Sequence, residues 1–186
     1  MPEDSSRYLG GGSLGAWYAP NITSDAVNGI GGWTEAELVQ YLKTGRVPGK
    51  AQAAGPMAEA IEHSLQHLPD SDIQAMASYL KQTKAVAGGE TQPRYRYGQA
   101  SLQSEDTQRG LVDGADAGWK VFSGSCAHCH QANATGTANG EYPSLFHNSV
   151  TGADRADNLV ATILHGVDRT VQGRAHFMPA FGDAAS

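Results

Sequence analysis

Residues 124–132 read GSCAHCHQA: Cys126 and Cys129 stand three apart, His130 follows the second cysteine directly, and the chain has no other cysteine. Three chemistries use such a pair. A tetrahedral zinc site takes about four protein ligands, commonly with a second cysteine pair at a distance. No second pair exists, and His128 and His130 would complete a site only with strained local geometry. A thioredoxin-like redox pair opens a helix that follows a strand in a βαβ unit, a pattern absent around residues 124–131. The third chemistry needs the histidine. In C-x-x-C-H the two thiols add to the vinyl groups of a haem, and the next imidazole reaches the iron. Cys126, Cys129 and His130 fit that role, and the stretch Ala115 to Phe122 is expected to form the helix that delivers them.

An iron held by one histidine needs a sixth ligand to serve as a simple electron carrier. Met178 is the candidate: it lies 48 residues after His130, which leaves chain enough to round a porphyrin, and Pro179 stiffens its loop. A thioether opposite histidine raises the reduction potential. His165 and His176 are rivals, although His165 suits the last turn of a helix and His176 an exposed position near the haem edge. His63, His67 and His147 read as surface residues. The segment Tyr142-Pro143-Ser144-Leu145 follows the glycine-rich TGTANGE. It reads either as a simple turn or as a turn whose Pro143 carbonyl accepts the Nδ1 proton of His130 and orients the ring.

A repeat runs through the chain. Leu38 to Gly45 and Leu159 to Gly166 both read L-V-x-x-[LI]-x-x-G, offset by 121 residues, and a proline-flanked methionine, Met57 or Met178, follows each glycine after 12 residues. Thr34 and Glu37 form a capping box before the first segment and Gly45 can close it in the left-handed conformation. Asp154 or Asp157 is expected to open the second helix and Gly166 to close it. A further helix is expected from Ser71 to Lys81, with Ile73, Met76, Ala77 and Leu80 on one face and Met76 in the core. Lys84 to Asp116 is polar and without period, so units are placed at residues 1–83 and 112–186 with a linker over 84–111. Alternating strand patterns are scarce. The fold is expected to be mostly α and loop-rich, as the 23 glycines and 8 prolines also suggest.

Net charge is −6 and the basic residues form no run, which argues against a nucleic-acid partner. No stretch approaches the roughly 20 apolar residues of a membrane helix. The opening MPEDSSRYLGGG has neither the basic region nor the apolar core of a secretion signal; the chain is cytosolic, or its targeting segment lies outside this sequence.

The cysteine motif, the YPSL turn, NLVATILHGVDRTVQGR and FMPAF together resemble the last haem domain of the three-haem cytochrome c subunit of bacterial membrane-bound dehydrogenases, of the alcohol, gluconate and sorbitol type. GAWYAPNIT, GIGGWTEAELVQYLKTGR and AAGPMAEAIEHS are similar to the middle haem domain of the same subunit. The resemblance implies cytochrome c-like helical haem domains, covalent haem c, and a periplasmic location on the inner membrane. It also implies a flavoprotein or quinoprotein dehydrogenase subunit as electron donor, ubiquinone as acceptor, and substrate oxidation on the partner subunit. Against that pattern the first unit lacks its own C-x-x-C-H, expected just upstream of Met1, which leaves Met57 an orphan axial ligand. The last domain lacks the helix that follows its methionine loop. One haem is therefore expected, in a chain truncated at both ends, with electron transfer as its function. Two other readings stand beside it: peroxidase-type chemistry at an iron that Met178 does not fill, and a truncated remnant without function.

Overall fold

A computed structural model describes residues 5–99 and 117–182. Near the N-terminus a short ladder joins β1 (Gly12–Leu14) to β2 (Trp17–Ala19), with Leu14 opposite Trp17. Helix α1 (Glu35–Thr44) begins at the expected capping box. Glu37 N donates to Thr34 Oγ1 at 3.2 Å and Thr34 N donates to Glu37 Oε2 at 2.7 Å, so two orphan amides of the first turn are satisfied reciprocally. The helix ends at Gly45, whose φ of 70° is left-handed and whose N–H reaches Tyr41 O at 2.7 Å. Strands β3 (Arg46–Val47) and β4 (Ala51–Gln52) then pair, and α2 (Gly55–His63) and α3 (Asp70–Gln82) follow.

The expected helix over 71–81 is α3. Ile73 and Ala77 are fully buried, but Met76 is 38% exposed, contrary to the expected core position. Ile73 and Ala77 stand four apart and stack on the buried line, whereas Met76 is turned about 100° from Ala77 and falls at the rim.

The described residues from 117 onward open with α4 (Ala117–Val121), pass through one π turn over Phe122–Cys126, and continue as α5 (Ala127–His130). Residues 115 and 116 of the expected delivering helix lie outside the described residues. After a long loop come α6 (Asp157–His165) and the hairpin of β5 (Val167–Val171) with β6 (Arg174–Met178). Asp157 is the first residue of α6, but the capping position belongs to Ala156 and no side chain caps it. Neither Asp154 nor Asp157 performs the expected capping; Asp157 instead pairs with Arg155 at 3.0 Å.

The expectation of a mostly α fold holds in part: among the described residues, three two-stranded antiparallel ladders stand between the helices. The longest, Val167–Val171, alternates in burial although its sequence does not, and turns at Gln172 and Gly173 with φ of 51° and 76°, the positive pair of a type I′ turn. The repeat is also imperfect. Both helices end at a glycine with φ of 70°, yet Met57 lies in the first turn of α2 while Met178 ends strand β6. Equal spacing places the two methionines in unlike local structures.

The parts interlock. Ile61 is fully buried in a cluster with Ala53 and Val171, so β5 packs on α2. Asn158 on α6 brackets the Tyr18 peptide, accepting from Tyr18 N at 2.9 Å and donating to Tyr18 O at 2.8 Å. The described part of the expected linker is packed rather than free: a 3-10 turn over Arg94–Arg96 sets the Tyr95 ring edge-on to Trp33 at 6.3 Å, under Lys50 Nζ at 4.9 Å. No helix among the described residues is long and apolar enough to cross a membrane.

Candidate functional site

The turn carrying Cys126, Cys129 and His130 is built by a local irregularity. One π turn inserts an extra residue into the helical ladder just before the motif, a device often found at functional positions. Both thiols are free and partly exposed, and His130 is buried to 9% exposure. Burial first, and then Cys129, pushes the Cys126 thiol above its ordinary value.

His130 is oriented from the far side of the following loop. Its Nδ1 lies 2.8 Å from Pro143 O, so the ring donates through Nδ1 and Nε2 is left as a bare lone pair. The loop that supplies this carbonyl folds back through Gly136 N to His130 O at 2.9 Å, Thr137 N to Tyr142 O at 3.0 Å and Leu145 N to Ala134 O at 3.0 Å. Gly136, with φ of 70°, is required there: a Cβ would lie 2.4 Å from Tyr142 O.

Met178 is half-buried at the end of β6, opposite Val167. Its loop is tied to the end of α6 by Phe181 N to Ile163 O at 3.0 Å and Gly182 N to Leu164 O at 2.9 Å. A Cβ on Gly166 would stand 2.5 Å from Met178 O, so the glycine that closes α6 also admits the methionine loop. On the same face of the hairpin lie His176 and Arg169. Arg169 is buried to 1%; its Nη1 donates to Ala53 O, while Nε and Nη2 have no partner among the described residues. Burial, then the Arg169, Arg46 and Arg174 guanidiniums, hold the His176 imidazole below its ordinary value. His165 stacks near Trp17, with ring centroids 6.2 Å apart. His67 and His147 contact the carbonyls of Glu62 and Tyr95 at 3.1 and 3.2 Å.

A cavity of about 430 Å³ lies mainly among residues 14–80, walled chiefly by aromatic and aliphatic side chains, among them Trp17, Trp33, Tyr41 and Met57. Asn158 and Thr162 of α6 close one side and Arg94 another. Burial pushes the Tyr41 phenol from 10.0 up to about 12, against the pull of the Arg169 and Arg94 charges. A raised pKa means that the neutral phenol stabilises the fold fully below pH 10, and that this contribution fades as pH rises toward 12. Over that interval the wild-type chain is expected to lose more stability than Tyr41→Phe, measured by denaturant midpoints. Parallel loss would place the phenol in water.

Sequence reasoning named the cysteines, His130, Met178, Met57 and Pro143; it missed Arg94, Arg169 and Tyr41. Arg94 sits in a segment without periodicity, where no pattern announces an inward side chain.

Among the described residues no three His, Cys, Asp or Glu side chains converge as a metal nest. Iron in a porphyrin needs no such nest, because the macrocycle supplies four nitrogens and the protein only the axial donors. A bare Nε2 beside two free thiols on one turn is the donor set that a thioether-linked haem uses, which makes the C-terminal half a c-type cytochrome domain. The comparisons agree: residues 113–186 match the family described as cytochrome C oxidase, cbb3-type, subunit III. A cytochrome c domain binds haem c covalently and transfers electrons.

The chain is 44% identical over 98% of its length to the fructose dehydrogenase cytochrome subunit of Gluconobacter japonicus, covering 39% of that protein. It is 34% identical over 94% to the gluconate 2-dehydrogenase cytochrome c subunit of Pantoea cypripedii, covering 39%. Against the alcohol dehydrogenase (quinone) cytochrome c subunit of Gluconobacter oxydans the figures are 33%, 87% and 32%. These homologues are cytochrome c subunits of dehydrogenases, and the chain spans about two fifths or less of their length.

Proposed function

We propose that this chain carries one haem c on Cys126 and Cys129, with His130 and Met178 as axial ligands. It relays electrons from a flavoprotein or quinoprotein dehydrogenase subunit toward ubiquinone, at the periplasmic face of the inner membrane. The carrying observation is the 2.8 Å contact from His130 Nδ1 to Pro143 O. It fixes the tautomer and ring orientation that an axial imidazole needs. In this reading residues 112–186 form the haem domain, 84–111 the linker, and 1–83 a second cytochrome unit whose cavity presents Met57 as its axial donor.

Bound haem supplies one-electron iron chemistry. The residues do the rest. Cys126 and Cys129 would hold the ring through two thioethers, the Pro143 carbonyl holds the imidazole, and the Met178 thioether would raise the potential and keep peroxide or another small molecule from the iron. Substrate oxidation belongs to the partner subunit.

The test is spectroscopic and electrochemical, on the chain exported and matured in a host that assembles c-type cytochromes. Met178→Ala is expected to lower the midpoint potential on the order of 0.1 V, within the span of about 0.8 V that axial ligands command, and to admit exogenous ligands to the iron. An unchanged potential removes Met178 from the site.

A further inference from the structure

Arg94 is the one charged side chain among the described residues that line the cavity of the first unit. A guanidinium keeps its proton under all ordinary conditions, so a half-buried one favours an anionic partner. Its guanidinium makes no hydrogen bond and no ion pair among the described residues. Glu90 and Asp154 act on it only through space, and burial is the dominant influence. The backbone that carries it is pinned on both sides. Tyr97 N donates to Arg94 O at 3.3 Å, and a Cβ on Gly152 would collide with that same oxygen. The neighbouring Tyr95 ring packs on Trp33, and Tyr95 O meets His147 Nδ1 at 3.2 Å. A cation so held, with no hydrogen-bonded carboxylate among the described residues and lining an aromatic cavity, suits a large flat apolar body that ends in a carboxylate.

We propose that Arg94 is the carboxylate anchor of the first unit's cavity, holding a propionate of a haem whose iron faces Met57. The planar fork of the guanidinium suits bidentate carboxylate binding. The inference rests on the reading of residues 1–83 as a cytochrome unit and adds to it a positioning residue that lies outside that unit, in the segment between the two.

The test titrates the full chain with hemin and with hemin dimethyl ester, whose propionates carry no charge, and follows the Soret difference spectrum. Wild type is expected to prefer the free acid by about tenfold, the worth of one charge-assisted hydrogen bond. Arg94→Gln is expected to bind both alike, and Arg94→Lys to recover part of the preference. Covalent haem content and circular dichroism verify that each variant is folded. Equal affinities in wild type, or a preference that survives in Arg94→Gln, overturn the role of Arg94 and leave the cavity as a haem site. Failure of wild type to bind hemin at all, or binding indifferent to Met57→Ala, overturns the haem reading of the cavity and this inference with it.

Discussion

Replacing both Cys126 and Cys129 by Ala is expected to abolish covalent haem altogether: the exported chain should show its unmodified mass, and no haem should stay with it after denaturation. The effect is all-or-none because the chain has no other cysteine. Both thiols are free and within one turn of His130, so nothing competes for them. Each single substitution should leave one thioether, visible as a shifted band of the reduced haem in alkaline pyridine. If the double variant kept haem covalently, the assignment of the motif would fail, together with the roles given to His130 and Pro143.

Ile61→Ala is expected to cost about 3 to 4 kcal/mol, the range for emptying a fully buried aliphatic site. Ile61 has no exposed surface and meets Ala53 and Val171, with Met57, Tyr41 and Leu65 around it. The gap cannot close easily, because its walls come from α2, from β5 and from the segment after β4. Against a total stability of about 5 to 15 kcal/mol, the loss should appear as a large drop in the denaturant midpoint with little change in slope. A cost below about 1 kcal/mol would mean that β5 does not pack on α2 as described. Val171→Ala should show coupling to it in a double-mutant cycle, since contacting residues are not additive.

Local signals transmitted faithfully. The capping box at Thr34 and Glu37 and the terminating Gly45 occupy their expected places because a helix end is decided by the few residues that satisfy its own amides. The span of α3 was read to within a residue at each end from its apolar stripe, although the stripe assigned Met76 to the core when it lies at the rim. The hairpin of β5 and β6 was passed over because its turn, Gln172-Gly173, lacks the Asn-Gly signature, and because Arg169 breaks the apolar face of a five-residue strand. The cysteine motif was legible since three residues at fixed spacing, two cysteines and a histidine, carry the chemistry themselves. Arg94 was not, because an aperiodic segment gives no clue to which side chain turns inward; only the distant Trp33, Lys50 and Gly152 decide it.

The bracket that Asn158 forms on the Tyr18 peptide joins residues 140 apart in the chain. That separation imposes an order in time. When a chain emerges from its N-terminus, the first unit can collect α1, α2 and α3 long before α6 exists, and until α6 docks, the side of the cavity that Asn158 and Thr162 will cover stays open. A broad rigid ligand thus meets a wider opening during folding than in the finished molecule, where α6 covers one side. The last element to arrive serves as the latch, and the first unit completes itself only after the second has been made.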